Sequence, residues 1–161
     1  ESVDSFNYSF IKTTAILKNN ENKYLISGGY DKNLEENDIL INEEGFVVGL
    51  VGKIFQNHSE VKFISDLDFS APGVDKYGNE YLIQNNGEEL FVYSTLLKEY
   101  PTNIDFIFTN SKFGQPSKFP IVSLLNSELI IEDNKISSKI SIQNINFSLS
   151  NIYIVKPNDL P

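Results

Sequence analysis

The segment Gly45-Phe-Val-Val-Gly49-Leu-Val-Gly52-Lys-Ile-Phe55 decides the fold class of this 161-residue chain. Apolar and β-branched residues run through it almost without interruption, which predicts a buried β-strand over residues 46–55. Gly49 and Gly52 interrupt this strand, and glycines within a long strand are typical of a sharp bend at the corner of a small barrel. The segment therefore favours a closed or strongly curved β-sheet.

Similar apolar bursts lie on both sides of this segment, separated by Asn, Gly, Asp and Ser. We predict further strands over residues 10–17, 23–27, 38–41, 60–64, 80–83, 90–93, 105–109, 121–125, 129–131, 139–142 and 151–155. Asn86-Gly87 is the strongest hairpin signal, because both residues tolerate the positive φ of a tight turn. The only helical signal is one turn over residues 95–100, before Pro101. The chain is thus predicted to be all-β and mostly antiparallel, with little helix, as small barrels or a sandwich.

The composition excludes several function classes. The chain has 13 basic residues, all of them lysine, and 22 acidic residues, for a net charge of −9. Such a surface disfavours nucleic acid and anionic lipid, which both attract clustered basic side chains. Cysteine is absent, which excludes disulfides, thiolate nucleophiles and cysteine-ligated metals. The chain begins at Glu1 and lacks methionine, so we expect it to be a segment of a longer protein.

The candidate catalytic and metal-binding residues are few. His58 is the single histidine, and we predict that it lies in a surface turn between two strands. A serine hydrolase could recruit it with Asp66 or Asp68 as the orienting acid, but no serine lies in a nucleophile motif. The same two acids, with Asp75 and Glu80, lack the spacing of a calcium loop and are interpreted as acids of a turn. No catalytic residue, cofactor or metal ligand is therefore predicted.

Three aromatic residues are candidates for an interaction surface. Phe113 and Phe119 lie on either side of Pro116 in a loop that two prolines keep out of a central strand. Tyr77 lies in a glycine turn. Exposed aromatic side chains on such loops are typical contact residues, although packing within the loop would also explain them.

The order of the β motifs resembles a known family. The matching segments are Ile11-Lys-Thr-Thr-Ala-Ile-Leu17, Leu25-Ile-Ser-Gly-Gly29, Gly45-Phe-Val-Val-Gly49-Leu-Val51, Val61-Lys-Phe-Ile-Ser-Asp66, Ile104-Asp-Phe-Ile-Phe-Thr-Asn-Ser111 and Phe119-Pro120. Together they resemble the extracytoplasmic β-domain of the rod shape-determining protein MreC family. The chain departs from the family pattern at Leu50, where arginine is usual, and at Ile104 and Ser111, where glycine is usual.

The resemblance implies a domain of two small β-barrels, residues 1–66 and 67–161, in which the strand near 151–155 could return to the first barrel. It implies a non-catalytic scaffold that self-associates and holds peptidoglycan-synthesis enzymes, notably penicillin-binding protein 2, together with MreD and MreB. It also implies a location outside the cytoplasmic membrane, with a transmembrane anchor upstream of Glu1. No nucleic acid and no cofactor are expected.

Two other functions stay open at the level of sequence. One is a degenerate two-barrel hydrolase that uses His58. The other is a module that binds peptidoglycan or another glycan, for which the absence of tryptophan is unfavourable, although tyrosine can provide the aromatic platform.

Overall fold

The computed structural model describes residues 8–18, 23–99, 101, 103–125, 127–141 and 151–158. The chain forms two compact units. The first unit takes the described residues up to Ile64 together with residues 151–158, and the second begins at Ser65 and includes the described residues up to 141. Each unit contains one seven-stranded antiparallel sheet, which confirms the predicted fold class.

The strands have the following bounds. They are β1 (Tyr8–Thr13), β2 (Ala15–Lys18), β3 (Lys23–Ser27), β4 (Ile39–Ile41), β5 (Val47–Ile54), β6 (His58–Phe63), β7 (Ser70–Val74), β8 (Glu80–Asn85), β9 (Glu89–Ser94), β10 (Phe106–Phe108), β11 (Pro120–Ser123), β12 (Leu129–Glu132), β13 (Lys135–Ser141) and β14 (Ile152–Pro157). The first sheet has the order β1-β14-β4-β5-β6-β3-β2, and the second has the order β11-β10-β7-β8-β9-β13-β12. Short 3-10 helices cover Tyr30–Lys32 and Ser111–Phe113.

The first sheet is curled because one residue joins its two edges. Seven flat strands would place edge strands about 29 Å apart, at roughly 4.8 Å per strand. The edges here are β1 and β2, and Thr14 alone separates them, so Thr13 and Ala15 can be at most about 7 Å apart. Buried Thr13 donates a hydrogen bond from Oγ1 to the Ser27 carbonyl at 3.1 Å, which ties the end of β1 to the end of β3.

The second sheet is also curled by a short connection between its two edge strands, although this connection is longer than that of the first sheet. Its edges, β11 and β12, are also consecutive in the chain, and residues 124–128 join them. The six Cα–Cα steps from Ser123 to Leu129 span at most roughly 21 Å, which is shorter than the width of seven flat strands. This sheet is therefore curled as well.

Each unit has its own apolar core. The first packs residues from most of its strands, with Val51, Ile152 and Ile154 fully buried and the Tyr24 ring edge-on to Phe63 at 5.2 Å. The second buries residues from alternate positions of its strands: Ile83, Leu90, Ile107 and Ile136. This alternation is the period-2 pattern expected of strands with one buried face.

Every apolar burst of the sequence contains a strand, and Asn86-Gly87 forms the predicted hairpin, with a Gly87 φ of 102°. Residue 142, the end of one predicted strand, lies outside the described residues. One prediction needs refinement, because the strand expected over residues 10–17 divides at Thr14 into β1 and β2.

Strand β7 was not among the predicted strands, and it contains Pro72. Pro72 pairs with Leu82, and its carbonyl accepts a hydrogen bond from Gln115 Nε2 at 3.3 Å, on the side away from β8. The backbone nitrogen of a strand residue points to the same side as its carbonyl. Because the N–H that proline lacks would lie on the side away from β8, the β7–β8 ladder loses no hydrogen bond.

Two further predictions were wrong. Residues 95–99 are not helical, because their N–H groups bond to distant acceptors: Leu97 N donates to the Asn134 carbonyl and Lys98 N to Asn79 Oδ1. Tyr100, the end of that predicted turn, lies outside the described residues. His58 does not lie in a turn but begins β6, where it pairs with Ser27 of β3.

The two glycines of β5 have different surroundings. A Cβ on Gly49 would lie 2.8 Å from the Lys62 carbonyl oxygen and 3.1 Å from Phe63 Cα, both of which are backbone atoms. A Cβ on Gly52 would come no closer than 3.4 Å to any atom outside its chain neighbours. Gly52 lies where the β5–β6 register shifts between Val51 and Ile54, a bulge that bends the strand.

We predict that Gly49→Ala lowers the free energy of unfolding by about 2–3 kcal/mol, because the backbone of β6 must move to admit the methyl group. The matched control, Gly52→Ala in the same strand, should change it by less than about 1 kcal/mol. Urea denaturation of both variants measures the difference, and equal effects would contradict the steric argument.

Candidate interaction surface

The structure places the three predicted contact residues in the second unit. Tyr77 lies in the β7–β8 turn, and Phe113 ends the 3-10 helix in the loop between β10 and β11. Both side chains are half-buried. Phe119, directly before β11, is only 3% exposed, so its prediction as a surface residue is corrected. The Phe119 N–H donates to Thr109 Oγ1 at 3.0 Å, and this bond holds the residue in the interior of the unit.

The buried carboxylate of Asp75 shapes the turn that carries Tyr77. It accepts hydrogen bonds from the backbone N–H of Tyr77 at 2.9 Å and of Asn79 at 3.0 Å. It also accepts from Asn79 Nδ2 at 3.0 Å and from the Tyr81 hydroxyl at 2.8 Å. Burial raises the pKa of Tyr81 above its ordinary value, and the hydrogen bond to Asp75 and the negative charge of that residue act in the same direction. The phenol therefore stays protonated as a donor.

Asn79 connects this turn to the segment after β9. Its Nδ2 donates to the Glu99 carbonyl at 2.8 Å, while its Oδ1 accepts from the N–H of Lys98 at 2.9 Å. Asn79 is 1% exposed, so these bonds are shielded from water. The turn and the segment 97–99 therefore form one rigid patch.

Hydrogen bonds from side chains also hold the loop that carries Phe113. The Asn110 side chain caps the 3-10 helix by accepting from Lys112 N at 2.9 Å. Gln115 Oε1 accepts from Asn110 N at 3.0 Å, and Thr109 Oγ1 donates to the Pro116 carbonyl. The loop is thus an ordered projection of the sheet; Pro116 lies in the loop, and Pro120 begins the edge strand β11 rather than a central one.

Glu80 joins the loop to the start of β8. Its carboxylate pairs with the ammonium group of Lys112, next to Phe113, and lies 3.9 Å from that of Lys98. The hydrogen bond from Lys112 lowers the pKa of Glu80 below its usual 4.5, opposed by partial desolvation. An ion pair that is open to water contributes little to stability, so this pair only supplements the hydrogen bonds that hold the loop.

The outer face of the second sheet carries an apolar row that was not predicted from the sequence. Strand pairing places Pro72 opposite Leu82, Leu82 opposite Tyr93, Tyr93 opposite Ser137 and Ser137 opposite Ile130, across five strands. Leu82 is 39% exposed, Tyr93 42% and Ile130 45%. Phe91 stacks on Tyr93 at 5.8 Å between ring centroids. Strand alternation puts these residues on one face, but only the register brings them into a row.

The residues weighed for catalysis and metal binding are distributed over both units. His58 is exposed, and its ring stacks on Phe55 at 4.6 Å in the first unit, whereas Asp66 and Asp68 belong to the second. Across the described ranges, no group of three or more histidine, aspartate or glutamate residues is arranged to hold a metal ion.

No helix within the described part of the chain is long and apolar enough to cross a lipid bilayer.

Comparisons with known proteins give a consistent result. A family model described as rod shape-determining protein MreC, barrel core, matches residues 15–151. A comparison with curated protein sequences finds no match.

Several solved structures share the fold. MreC from Pseudomonas aeruginosa is 13% identical, with a TM-score of 0.62 over 92% of this chain and 99% of that one. The major periplasmic domain of the cell shape-determining filament MreC is 12% identical, with a TM-score of 0.65 over 94% and 98%. The complex between penicillin-binding protein PBP2 and MreC from Helicobacter pylori contains a chain that is 13% identical, with a TM-score of 0.65 over 94% and 99%.

We predict that Tyr81→Phe lowers the free energy of unfolding by about 1–3 kcal/mol, because it removes a hydrogen bond to a buried carboxylate. Tyr93→Phe is the matched control: this side chain is 42% exposed, and its change should stay below about 0.5 kcal/mol. Chemical denaturation at neutral pH compares the two. Equal effects would show that the Asp75 cluster does not stabilise the turn.

We predict that Lys112→Met raises the pKa of Glu80 toward 4.5, since the largest cause of its depression disappears. Lys98→Met should raise it less, because the distance to Glu80 is 3.9 Å. A carboxyl with a lowered pKa stabilises the fold above the unfolded pKa, and this contribution is lost as pH falls through the folded pKa. An NMR titration of the Glu80 carboxyl carbon measures both shifts, and a larger effect of Lys98→Met would contradict this assignment.

Proposed function

The chain belongs to the rod shape-determining protein MreC family, and we propose from this premise that it is a non-catalytic scaffold that binds peptidoglycan-synthesis enzymes. The observation that carries the proposal is the match of the family model over residues 15–151. A scaffold acts through surface complementarity and therefore needs an ordered surface with exposed apolar groups. The second unit provides one, in its apolar row and in the loops held by Asp75 and Glu80.

We propose penicillin-binding protein 2 as the principal partner. The support is the Helicobacter pylori complex between PBP2 and MreC, whose matching chain shares this fold over 94% of the present chain and 99% of its own length. Self-association, and assembly with MreD and the MreB filament, belong to the same proposal and rest on family membership.

The proposed location is outside the cytoplasmic membrane, anchored by a helix upstream of Glu1. Its support is the likeness to a structure described as the major periplasmic domain of MreC.

The polar chemistry of the second unit supports a non-catalytic role. Buried Asp75 accepts three hydrogen bonds from its own turn and one from Tyr81 of β8, so its carboxylate is committed to structure. A general base instead needs a carboxylate within reach of a substrate proton. On the first unit, exposed His58 packs flat against Phe55.

Tyr77 and Phe113 are the proposed contact residues of this surface. We expect Tyr77→Ala and Phe113→Ala to weaken binding to the extracytoplasmic part of penicillin-binding protein 2 from the same organism by about tenfold each, the usual effect of truncating an aromatic anchor. Tyr30→Ala is the control, since Tyr30 is 62% exposed on the first unit. Biolayer interferometry measures the affinities.

Absence of binding by the unmodified chain would contradict penicillin-binding protein 2 as the partner. Binding that both alanine variants retain would remove Tyr77 and Phe113 from the interface.

A further inference from the structure

The edge strand β12 exposes apolar side chains on both of its faces. Within the described residues, its one neighbour in the sheet is β13. Ile130 is 45% exposed and Ile131, on the opposite face, is 50% exposed. Apolar edge strands are unusual, because natural sheets protect such edges with charge, proline or a bulge.

The backbone of β12 presents bonding groups away from the sheet. Asp133 and Asn134 form a two-residue turn with φ values of 50° and 61°, which makes Glu132 and Lys135 the first hydrogen-bonded pair of the hairpin. The pairs then alternate, so the N–H and C=O groups of Leu129 and Ile131 face away from β13. The N–H of Ile136, opposite Ile131, fits this register because it donates to Ser94 Oγ on the β9 side, at 2.6 Å.

The side chain of Ile130 is the end of the apolar row on the outer face. The row runs from Pro72 through Leu82 and Tyr93, passes the polar Ser137 of β13, and ends at Ile130 on the last strand of the sheet within the described residues. A strand added beside β12 would place one of its own side chains opposite Ile130 and extend the row.

Acidic residues surround Ile130 along the chain. Glu132 lies two positions after it, on the same face of the strand, exposed Glu128 directly precedes the strand, and exposed Asp133 follows in the turn. Lys135 lies opposite Glu132 and partly neutralises the negative charge of that residue. The chain as a whole has a net charge of −9. An added strand would therefore gain from basic residues on either side of an apolar one.

We propose that β12 binds an extended segment of a partner protein by strand addition, and that this segment carries an apolar residue between two basic residues at alternate positions. Backbone hydrogen bonds to Leu129 and Ile131 supply affinity. The apolar contact with Ile130 and the acidic pair Glu128 and Glu132 supply specificity.

A second copy of this chain fits the edge poorly. Antiparallel pairing of two β12 strands about Ile130 would place Glu128 of one copy opposite Glu132 of the other. Like charges directly opposite each other on adjacent strands are destabilising.

The inference deepens the proposed scaffold function and rests on it only in requiring a protein partner. The probe is a nine-residue synthetic peptide. Lysine, leucine and lysine occupy three alternate positions, so that all three side chains lie on the face that carries Ile130, and threonine and valine occupy the other positions. Fluorescence anisotropy on the full chain measures its affinity. A peptide with glutamate in place of both lysines should bind at least tenfold more weakly.

Ile131→Pro is the decisive variant. Proline removes the outward N–H and keeps the ladder to β13, which uses residues 130 and 132. We expect it to weaken peptide binding at least tenfold, while the matched control Ile131→Val retains it. Ile130→Lys is a second variant with no backbone change; it should weaken binding similarly, and thermal melting verifies that both variants fold.

The alternative outcomes are distinct. Equal affinity of the lysine and glutamate peptides, or no effect of folded Ile131→Pro and Ile130→Lys, overturns the inference. A dimer that Ile131→Pro dissociates in sedimentation velocity overturns the inference in favour of a second copy as the occupant.

If penicillin-binding protein 2 binds wild type and Ile131→Pro equally, the proposed function is retained and β12 is not the binding site for that enzyme. If the peptide binds but penicillin-binding protein 2 does not, strand addition at β12 is supported and penicillin-binding protein 2 is contradicted as the partner.

Discussion

The connection of a single residue at Thr14 is the constraint on which the first unit depends. It joins β1 and β2, the two edges of a seven-stranded sheet, and so forces the sheet to curl. The hydrogen bond from Thr13 to Ser27 holds the junction, and the lack of a side chain at Gly49 lets β6 approach β5 closely. The strand β14 completes this sheet between β1 and β4.

The second unit combines a curled sheet with polar anchors at its connections. Asp75 organises the β7–β8 turn, Asn79 ties that turn to residues 98 and 99, and Glu80 pairs with Lys112 of the β10–β11 loop. These groups are used for positioning rather than for chemistry. Their effect is an ordered surface around Tyr77, which is the physical requirement of a scaffold.

Much of the fold could be predicted from local sequence. Apolar bursts located a strand in every predicted segment, because β-branched and aromatic residues pack well on a pleated surface. The failures arose where a distant partner overrode local preference. Pro72 sits in a strand because its nitrogen faces away from β8, and residues 95–99 avoid a helix because Asn79 and Asn134 take their N–H groups.

Residue types and short spacings are enough to predict the all-β class, the acidic charge, the Asn86-Gly87 hairpin and the family resemblance. Which apolar residues face water became clear only from the pairing of distant strands: Phe119 is buried, whereas Leu82, Tyr93 and Ile130 are exposed on one face. The physical reason is that strand register depends on pairing between distant segments. A shift of one residue would move every side chain of a strand to the opposite face, and no local pattern records that choice across five strands.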